Sequence, residues 1–228
     1  YKLYGGAVTA NAGTISGTSS SWGSATTVSV GSTPTLMGIG AGNGKVLFLT
    51  IDDDNNGDAR GATVSGNALT LGDVVEFDGT AVTAYTGDSD NVVCYDTQND
   101  RFFLPYRADS DNSYGMVFKI TGTTVSHGTR VLLLLEANDM SVAHSSDIWK
   151  IPLIYGVQTS NGLFYREATI DPSDNSLTFS TAVSLTTANT NATSLSYDST
   201  NVRLLANYDL VSDHIEAYGI VPNGSRVG

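Results

Sequence analysis

The sequence contains a repeat of about 50 residues, and this repeat restricts the fold more than any other feature. The clearest versions are YGMVFKITGTTVSHGTRVLLLL from Tyr114 and RGATVSGNALTLGDVVEF from Arg60, with weaker versions from Tyr4 and Leu163. Each version has an alternating stretch, a turn of Gly, Asn or Ser, a corner of small residues and a second alternating stretch. Repeats of this length are typical of propeller blades and stacked arrays.

The other half of the repeat also recurs. Residues 91–115 and 193–219 each contain an apolar run, a "YD" turn and two further apolar runs. Short runs rich in Val, Leu, Ile, Tyr and Phe, bounded by Gly, Asn, Asp and Ser, predict antiparallel strands joined by hairpins. No window of a dozen residues has helical periodicity. The sequence therefore predicts an all-β chain.

One repeat holds four strands, which fits the blade of a β-propeller. In the clearest repeat these strands are predicted near residues 91–96, 101–107, 114–121 and 129–135. Packing between blades would explain why some strands are apolar at consecutive positions. We therefore expect burial of the following side chains: Phe48, Phe102, Leu104, Phe118, Val131, Leu133 and Leu204. The alternative fold is a β-sandwich with accidental self-similarity.

Partial repeats stand at the two ends of the chain. Residues 1–30 hold the last two strands of a repeat, and residues 191–228 hold the first three. We expect the two to combine in one composite blade, giving about four blades in a single β-propeller domain over residues 1–228. The complete repeats are then at about 34–78, 82–135 and 139–187. The alternative is a window on a longer open array.

The charge balance excludes some partners. Asp and Glu total 23 against 11 Lys and Arg, and the net charge is −12. Such a chain repels the phosphates of nucleic acids and anionic membrane surfaces. Only 15% of the residues are charged, against about a quarter in ordinary soluble domains. Uncharged polar surfaces are common on secreted and virion proteins, so we expect a virion or extracellular location. No apolar stretch is long enough to span a membrane.

An acidic run resembles the opening of a calcium loop. Its candidate ligands are Asp52, Asp54, Asn56 and Asp58, although the twelfth position of the pattern is Thr63 instead of Glu. Oxygen ligands in a hairpin loop could still bind a hard cation. The alternative is a solvated turn in which the Asp side chains accept bonds from their own backbone. No other cofactor is expected.

Tyrosines near strand ends are the candidates for ligand recognition. Aromatic rings beside short polar side chains suit sugars, and the selected residues are Tyr106, Arg107, Tyr155 and Tyr208. The alternative is that these rings fill the space between blades. The histidines do not have the spacing of a metal site or a catalytic triad, and G-x-S-x-G is absent. No pair of acids can be placed at a catalytic separation, so we expect a protein that is not an enzyme.

Several segments resemble the repeats of bacteriophage tail-fibre and virion appendage proteins, particularly those of marine phages. These segments are TGTTVSHGTRV, SGTSSSWGSATTVSV, YDTQNDRFFLPYRAD and YDSTNVRLLANYD. The resemblance covers nearly the whole chain, and its motifs consist of strands and turns. It implies the blade architecture, and it carries no catalytic or binding residue to a position of this sequence.

The resemblance implies a non-enzymatic virion appendage, or tail-fibre receptor-binding module, that recognises a host surface glycan. Its partners would be that glycan or other virion subunits, and a homo-oligomer is expected. The second hypothesis is a self-assembling secreted structural protein that forms a fibre or filament. The third is a carbohydrate-active propeller enzyme.

Overall fold

The structure is a computed structural model. The residues that it describes form strands and turns, which confirms the prediction of an all-β chain. Within these residues no helix is long and apolar enough to cross a membrane. The described residues are 2–4, 7–30, 34–83, 93–109, 112–135, 137–143, 150–157, 162–187, 190–198, 200, 203–210, 214–220 and 226–227.

The first two sheets come from the N-terminal third of the chain. Sheet I has three paired strands, β1 (Lys2–Tyr4), β2 (Ala7–Ala10) and β5 (Thr26–Val30), and we count with it the separate two-stranded hairpin of β3 (Gly13–Ser16) and β4 (Ser19–Trp22). Sheet II has β6 (Thr35–Gly42), β7 (Lys45–Ile51), β8 (Gly57–Ser65) and β9 (Ala68–Asp78). The two-residue strand β10 (Val82–Thr83) follows.

Sheets III and IV follow, each with a final strand in two pieces. Sheet III has β11 (Cys94–Asp96), β12 (Arg101–Ala108), β13 (Asn112–Thr121), β14 (Thr124–His127) and β15 (Val131–Leu135). Sheet IV has β16 (Ala137–Val142), β17 (Ile151–Val157), β18 (Gly162–Asp171), β19 (Ser176–Phe179) and β20 (Val183–Thr186).

Sheet V contains the remaining described strands, and the strand pairs are antiparallel wherever the structure describes their register. It has β21 (Thr190–Asp198), β22 (Arg203–Leu210), β23 (His214–Ile220) and β24 (Arg226–Val227). The chain divides into two compact units, residues 1–84 with 118–127 and residues 85–117 with 128–228. The prediction of one domain over the whole chain stays a prediction.

The composite blade differs from the observed pairing. β1, β2 and β5 pair with one another, whereas β21 to β24 form a separate four-stranded sheet. Residues 1–30 and 190–227 therefore contribute to two different sheets instead of one. The two ends each have one more strand than the sequence predicted. β24 is the fourth strand of sheet V, and β1, which pairs with β2, is a third strand within residues 1–30.

A corner interrupts the last strand of sheets I, III and IV at the same place. The backbone N–H of Gly23 donates to the carbonyl of Ala12 at 2.8 Å, and that of Gly128 to Val117 at 2.9 Å. Ser180 makes the equivalent bond in sheet IV at 2.9 Å. This confirms the small-residue corner expected between the two alternating stretches.

Neighbouring sheets touch at these corners. The carbonyl of Asn67, in the tight turn of sheet II, lies so close to Gly23 that a Cβ atom there would overlap it. The carbonyl of Thr123 lies equally close to Gly72, and the carbonyl of Asn175 lies equally close to Gly128. Glycine is therefore required by the close approach of another backbone. The small residue that recurs at each corner is therefore the point where a neighbouring sheet makes contact.

The buried side chains form clusters between adjacent sheets. In the second unit, Phe103 and Leu133 of sheet III pack with Leu153 and Leu177 of sheet IV. Leu163 of sheet IV packs with residues of sheet V. Six of the seven positions predicted as core are buried: Phe48, Phe102, Leu104, Phe118, Leu133 and Leu204. The seventh, Val131, is partly buried.

Candidate functional site at the end of sheet III

Asp109, Tyr114 and Arg130 meet at one end of sheet III and form the cluster that we call the Tyr114 cluster. Asp109 is the first residue after β12 and has a left-handed φ of 52°, a conformation that Asp and Asn tolerate better than most residues. Tyr114 lies on β13, directly opposite Leu132 of β15. Arg130 is the last residue of the corner before β15, so the antiparallel pairing brings its side chain beside the tyrosine.

A carboxylate, a guanidinium and a phenol are in direct contact in this cluster. Arg130 Nη2 lies 2.8 Å from Asp109 Oδ2, and Tyr114 Oη donates to the same oxygen at 3.0 Å. The guanidinium carbon of Arg130 stands 4.4 Å from the centroid of the Tyr114 ring, a cation–π arrangement. The side chains of Arg130 and Asp109 are 30% and 34% exposed, so solvent or a ligand can reach both.

The Tyr114 hydroxyl is held in its neutral form. Burial raises its pKa, and the hydrogen bond and negative charge of Asp109 raise it further, against the lowering effect of Arg130. A neutral phenol can donate a hydrogen bond at physiological pH. The cluster therefore offers donors and acceptors of three different kinds on one partly exposed surface.

The tyrosines selected from the sequence lie mostly in the interior. Tyr106 and Tyr155 are buried. Tyr106 supports the cluster from inside, with its ring centroid 6.0 Å from that of Tyr114. Arg107 is half-buried, and the side chain of Tyr208 lies outside the described residues. The rings of Tyr106 and Tyr155 therefore fill space in the interior, as the alternative interpretation of these tyrosines expected.

Tyr155 illustrates why a strand-end tyrosine need not be a surface residue. Its ring stacks on Phe164 with the centroids 5.7 Å apart. Burial raises the pKa of its hydroxyl, while Arg166 lowers it by charge and by a hydrogen bond. Sequence reasoning missed the combination of Asp109 with Arg130, because these residues are 21 positions apart and meet only through the β13–β15 pairing.

The acidic loop of sheet II is a hydrogen-bonded turn. Asp52 Oδ1 accepts bonds from the backbone N–H groups of Asp54 and Asn56 at 2.9 and 2.8 Å. Its second oxygen faces the Asn56 amide at 3.4 Å. Among the described residues, no group of three His, Cys, Asp or Glu residues is arranged to hold a metal ion. The proposed ligands Asp52, Asp54, Asn56 and Asp58 are thus not brought together as a calcium cage.

Asp58 instead lies opposite another acid. The register of β8 and β9 pairs Asp58 directly with Glu76. Burial raises the pKa of Asp58, and the negative charges of Asp52 and Glu76 raise it further. Like charges directly opposite in a sheet repel each other, so the Asp58–Glu76 pair lowers the stability of the folded protein.

A third polar group lies inside sheet IV. Tyr165 Oη donates to Glu167 Oε1 at 3.0 Å, and Lys150 Nζ forms an ion pair with the other oxygen of Glu167. Tyr165 is buried among aliphatic residues, including Ile154 and Leu163. Because the phenol is closed off from solvent, this group satisfies a buried carboxylate and offers no surface to a ligand.

No protein-family model and no curated protein matches the sequence. Among solved structures, the chain is similar to a protein from Lactobacillus plantarum, with a TM-score of 0.62 and 14% identity, covering 95% of this chain and 62% of that one. It is also similar to Trypanosoma rangeli sialidase, with a TM-score of 0.53 and 11% identity, covering 99% of this chain and 43% of that one. The chain thus spans less than two thirds of either structure. At these identities the likeness shows the fold, an all-β propeller-like arrangement of four-stranded antiparallel repeats.

The comparison corrects the leading functional prediction. A non-enzymatic virion module for host attachment, with a self-assembling structural protein as second choice, was expected from the repeats. The solved structures that resemble the chain overturn this prediction, because they are a Lactobacillus plantarum protein and a sialidase, and neither is a virion attachment protein. The error arose because repeats made of strands and turns report the architecture and carry no information about a ligand.

Proposed function

We propose that the chain is the propeller part of a carbohydrate-active protein and that it contacts a saccharide through the Tyr114 cluster. The observation that carries the proposal is the partly exposed contact of Asp109, Tyr114 and Arg130 at a sheet end. The similarity of fold to a sialidase supports the carbohydrate class and assigns no residue.

The cluster has the groups that a sugar requires. The guanidinium of Arg130 can donate to hydroxyl oxygens, and the carboxylate of Asp109 can accept from hydroxyl groups. The tyrosine and the arginine both bind Oδ2 of Asp109, which fixes the orientation of the carboxylate. Leu132, directly opposite Tyr114 in the sheet, is largely exposed and gives an apolar surface for the C–H face of a pyranose.

Charge favours a neutral saccharide. Arg130 is paired with Asp109, so the cluster has no excess positive charge to attract an anion. The chain as a whole has a net charge of −12, which repels polyanionic glycans at low ionic strength. We therefore expect neutral glycans to bind better than sulfated or uronic-acid polymers.

Titration calorimetry against neutral and acidic oligosaccharides tests the proposal. Arg130→Ala should weaken the binding of a neutral saccharide by about tenfold or more, because a hydrogen bond to a charged group contributes about 1.5–3 kcal/mol. Tyr114→Phe removes only the hydroxyl and should have a smaller effect. Asp198→Asn, which changes an exposed turn aspartate of sheet V, is the matched control. Equal affinity for wild type and Arg130→Ala would contradict the assignment.

Glycoside hydrolysis is a second candidate, favoured by the pairing of Asp58 with Glu76. Most glycosidases use two carboxyl groups, one protonated as an acid and one ionised. Burial and the neighbouring acids raise the pKa of Asp58, and the exposed Glu76 stands directly opposite it in the sheet. Release of reducing ends from neutral polysaccharides, lost in both Asp58→Asn and Glu76→Gln, would support this role. Turnover that survives both substitutions would exclude the pair.

A further inference from the structure

Sheets I and V each expose large apolar side chains at positions whose counterparts in other sheets are buried or partly buried. In sheet I these residues are Ile15 and Trp22, with 77% and 66% of their surface exposed. In sheet V the residue is Leu205, which is 44% exposed. Exposed apolar side chains that lie next to one another mark interaction surfaces, whereas single ones are common on ordinary surfaces, so the counterparts of these residues in other sheets decide their meaning.

Strand register identifies the counterparts of Ile15 and Trp22. In the β3–β4 hairpin, Trp22 is opposite Gly13 and is followed by the corner at Gly23. In the β18–β19 hairpin, Phe179 is opposite Ala168 and is followed by the corner at Ser180. Trp22 therefore corresponds to Phe179. By the same register, Ile15 corresponds to Ile170.

In sheet IV this face is covered by the preceding sheet. Phe179 is partly buried against the core cluster, with its ring centroid 6.3 Å from that of Phe103 in sheet III. Ile170 is buried in the same cluster. The face that carries Ile15 and Trp22 in sheet I is thus the type of face that packs on another sheet, and in sheet I it is open.

The same comparison identifies the other side of the contact. In sheet III, Phe103 stands opposite Cys94, next to the Tyr95–Phe102 pair that leads into the turn at Asp96. In sheet V, Leu205 stands opposite Ser196, next to the pair formed by Tyr197 and Leu204. Leu205 is therefore the counterpart of Phe103, the residue that Phe179 contacts. Phe103 is buried because sheet IV covers it, whereas Leu205 is exposed.

We propose that this chain associates head to tail with a second copy of itself, with the Ile15–Trp22 face of one copy packed on the Leu205 face of the other. The contact repeats the one that joins sheets III and IV, with Trp22 in the place of Phe179 and Leu205 in the place of Phe103. The occupant is a second copy because both halves of the interface lie on this chain. The contact is heterologous, since two different surfaces meet.

Sedimentation velocity tests this arrangement with two single variants, Trp22→Ser and Leu205→Ser. Wild type should form larger species as its concentration rises through the micromolar range. Each variant alone should be monomeric, because each lacks one of the two surfaces. An equimolar mixture should give dimers and nothing larger, because one intact head meets one intact tail. Val74→Ser, which alters an exposed valine of sheet II, is the control that should associate like wild type.

The outcomes are distinguishable. Unchanged circular dichroism and melting of the variants would show that their loss of association is not a loss of fold. A wild type that stays monomeric at all concentrations would overturn the proposal. So would variants that each associate alone, or a mixture that does not form dimers. The proposal is independent of saccharide binding, so it can fail while the proposed function holds.

Discussion

Arg101 of sheet III binds Asn175 of sheet IV, with Arg101 Nε donating to Asn175 Oδ1 at 2.5 Å. The same guanidinium donates to the carbonyl of Pro172 at 2.6 Å and, through Nη1, to the carbonyl of Asn99 at 2.9 Å. Arg101 is buried, so its charge is satisfied almost wholly by carbonyl and amide oxygens. One side chain thus joins the turns of two sheets.

Replacement of Arg101 by alanine should destabilise the second unit. The change removes several buried hydrogen bonds and leaves carbonyl groups without donors, which costs about 1–3 kcal/mol for each unsatisfied group. We expect a total loss of about 2–4 kcal/mol in urea unfolding. Asn175→Gly keeps the left-handed turn and removes only one bond, so its loss should be smaller. Equal stability of Arg101→Ala and wild type would show that the turns are held by other contacts.

Phe102→Ala tests the packing of sheet III. The ring is buried and contacts Tyr95, with the centroids 4.8 Å apart. Truncation of a buried aromatic residue leaves a cavity and should cost about 3–5 kcal/mol. Leu132→Ala, at an exposed position of the same sheet, is the control and should cost much less. A loss under about 1 kcal/mol for Phe102→Ala would contradict the observed strand facing.

Asp58 and Asp171 should change stability in opposite directions. The pKa of Asp58 is raised in the folded protein by burial, so its ionised form costs stability at neutral pH. Asp58→Asn should therefore raise the melting temperature at pH 7, and the gain should vanish as the pH falls below the ordinary carboxyl pKa of 3.8.

Asp171 provides the matched comparison. Hydrogen bonds from the side chain and backbone of Ser173 hold its pKa below the ordinary value, so its ionised form stabilises the turn. Asp171→Ala should lower the melting temperature at pH 7. This stabilisation is lost as the pH falls through the lowered pKa, so the difference from wild type should shrink in acid. Two melting series with the same sign of pH dependence would contradict this account.

Cys94 should be unreactive in the folded protein. The thiol is buried, and burial with the nearby charge of Asp96 raises its pKa far above the usual range. Because the thiolate is the reactive form, an Ellman reagent should label Cys94 only at the rate of unfolding. Fast labelling under native conditions would mean that sheet III opens locally.

The strand pattern could be predicted because alternation and turn residues are local signals. The repeat boundaries, the corner at Gly23 and the burial of Phe102 all follow from the order of apolar and small residues. The composite blade failed because the pairing partners of β1 and β24 depend on long-range geometry. Asp58 looked like a calcium ligand, and its actual neighbour is Glu76, which the β8–β9 register supplies. The Tyr114 cluster was missed for the same reason, since no local pattern links Asp109 with Arg130.

The Nε–H resonances of the arginine side chains, followed by NMR during titration with a neutral oligosaccharide, test the central proposal most directly. We expect a saturable shift of the Arg130 resonance. The resonances of Arg60 and Arg101, which bind backbone carbonyls and Asn175 elsewhere in the sheets, should stay unchanged. The shift should be absent in Asp109→Asn if the ion pair orients the guanidinium. A saccharide that binds while the Arg130 resonance stays unmoved would contradict the assignment of the Tyr114 cluster as the binding site.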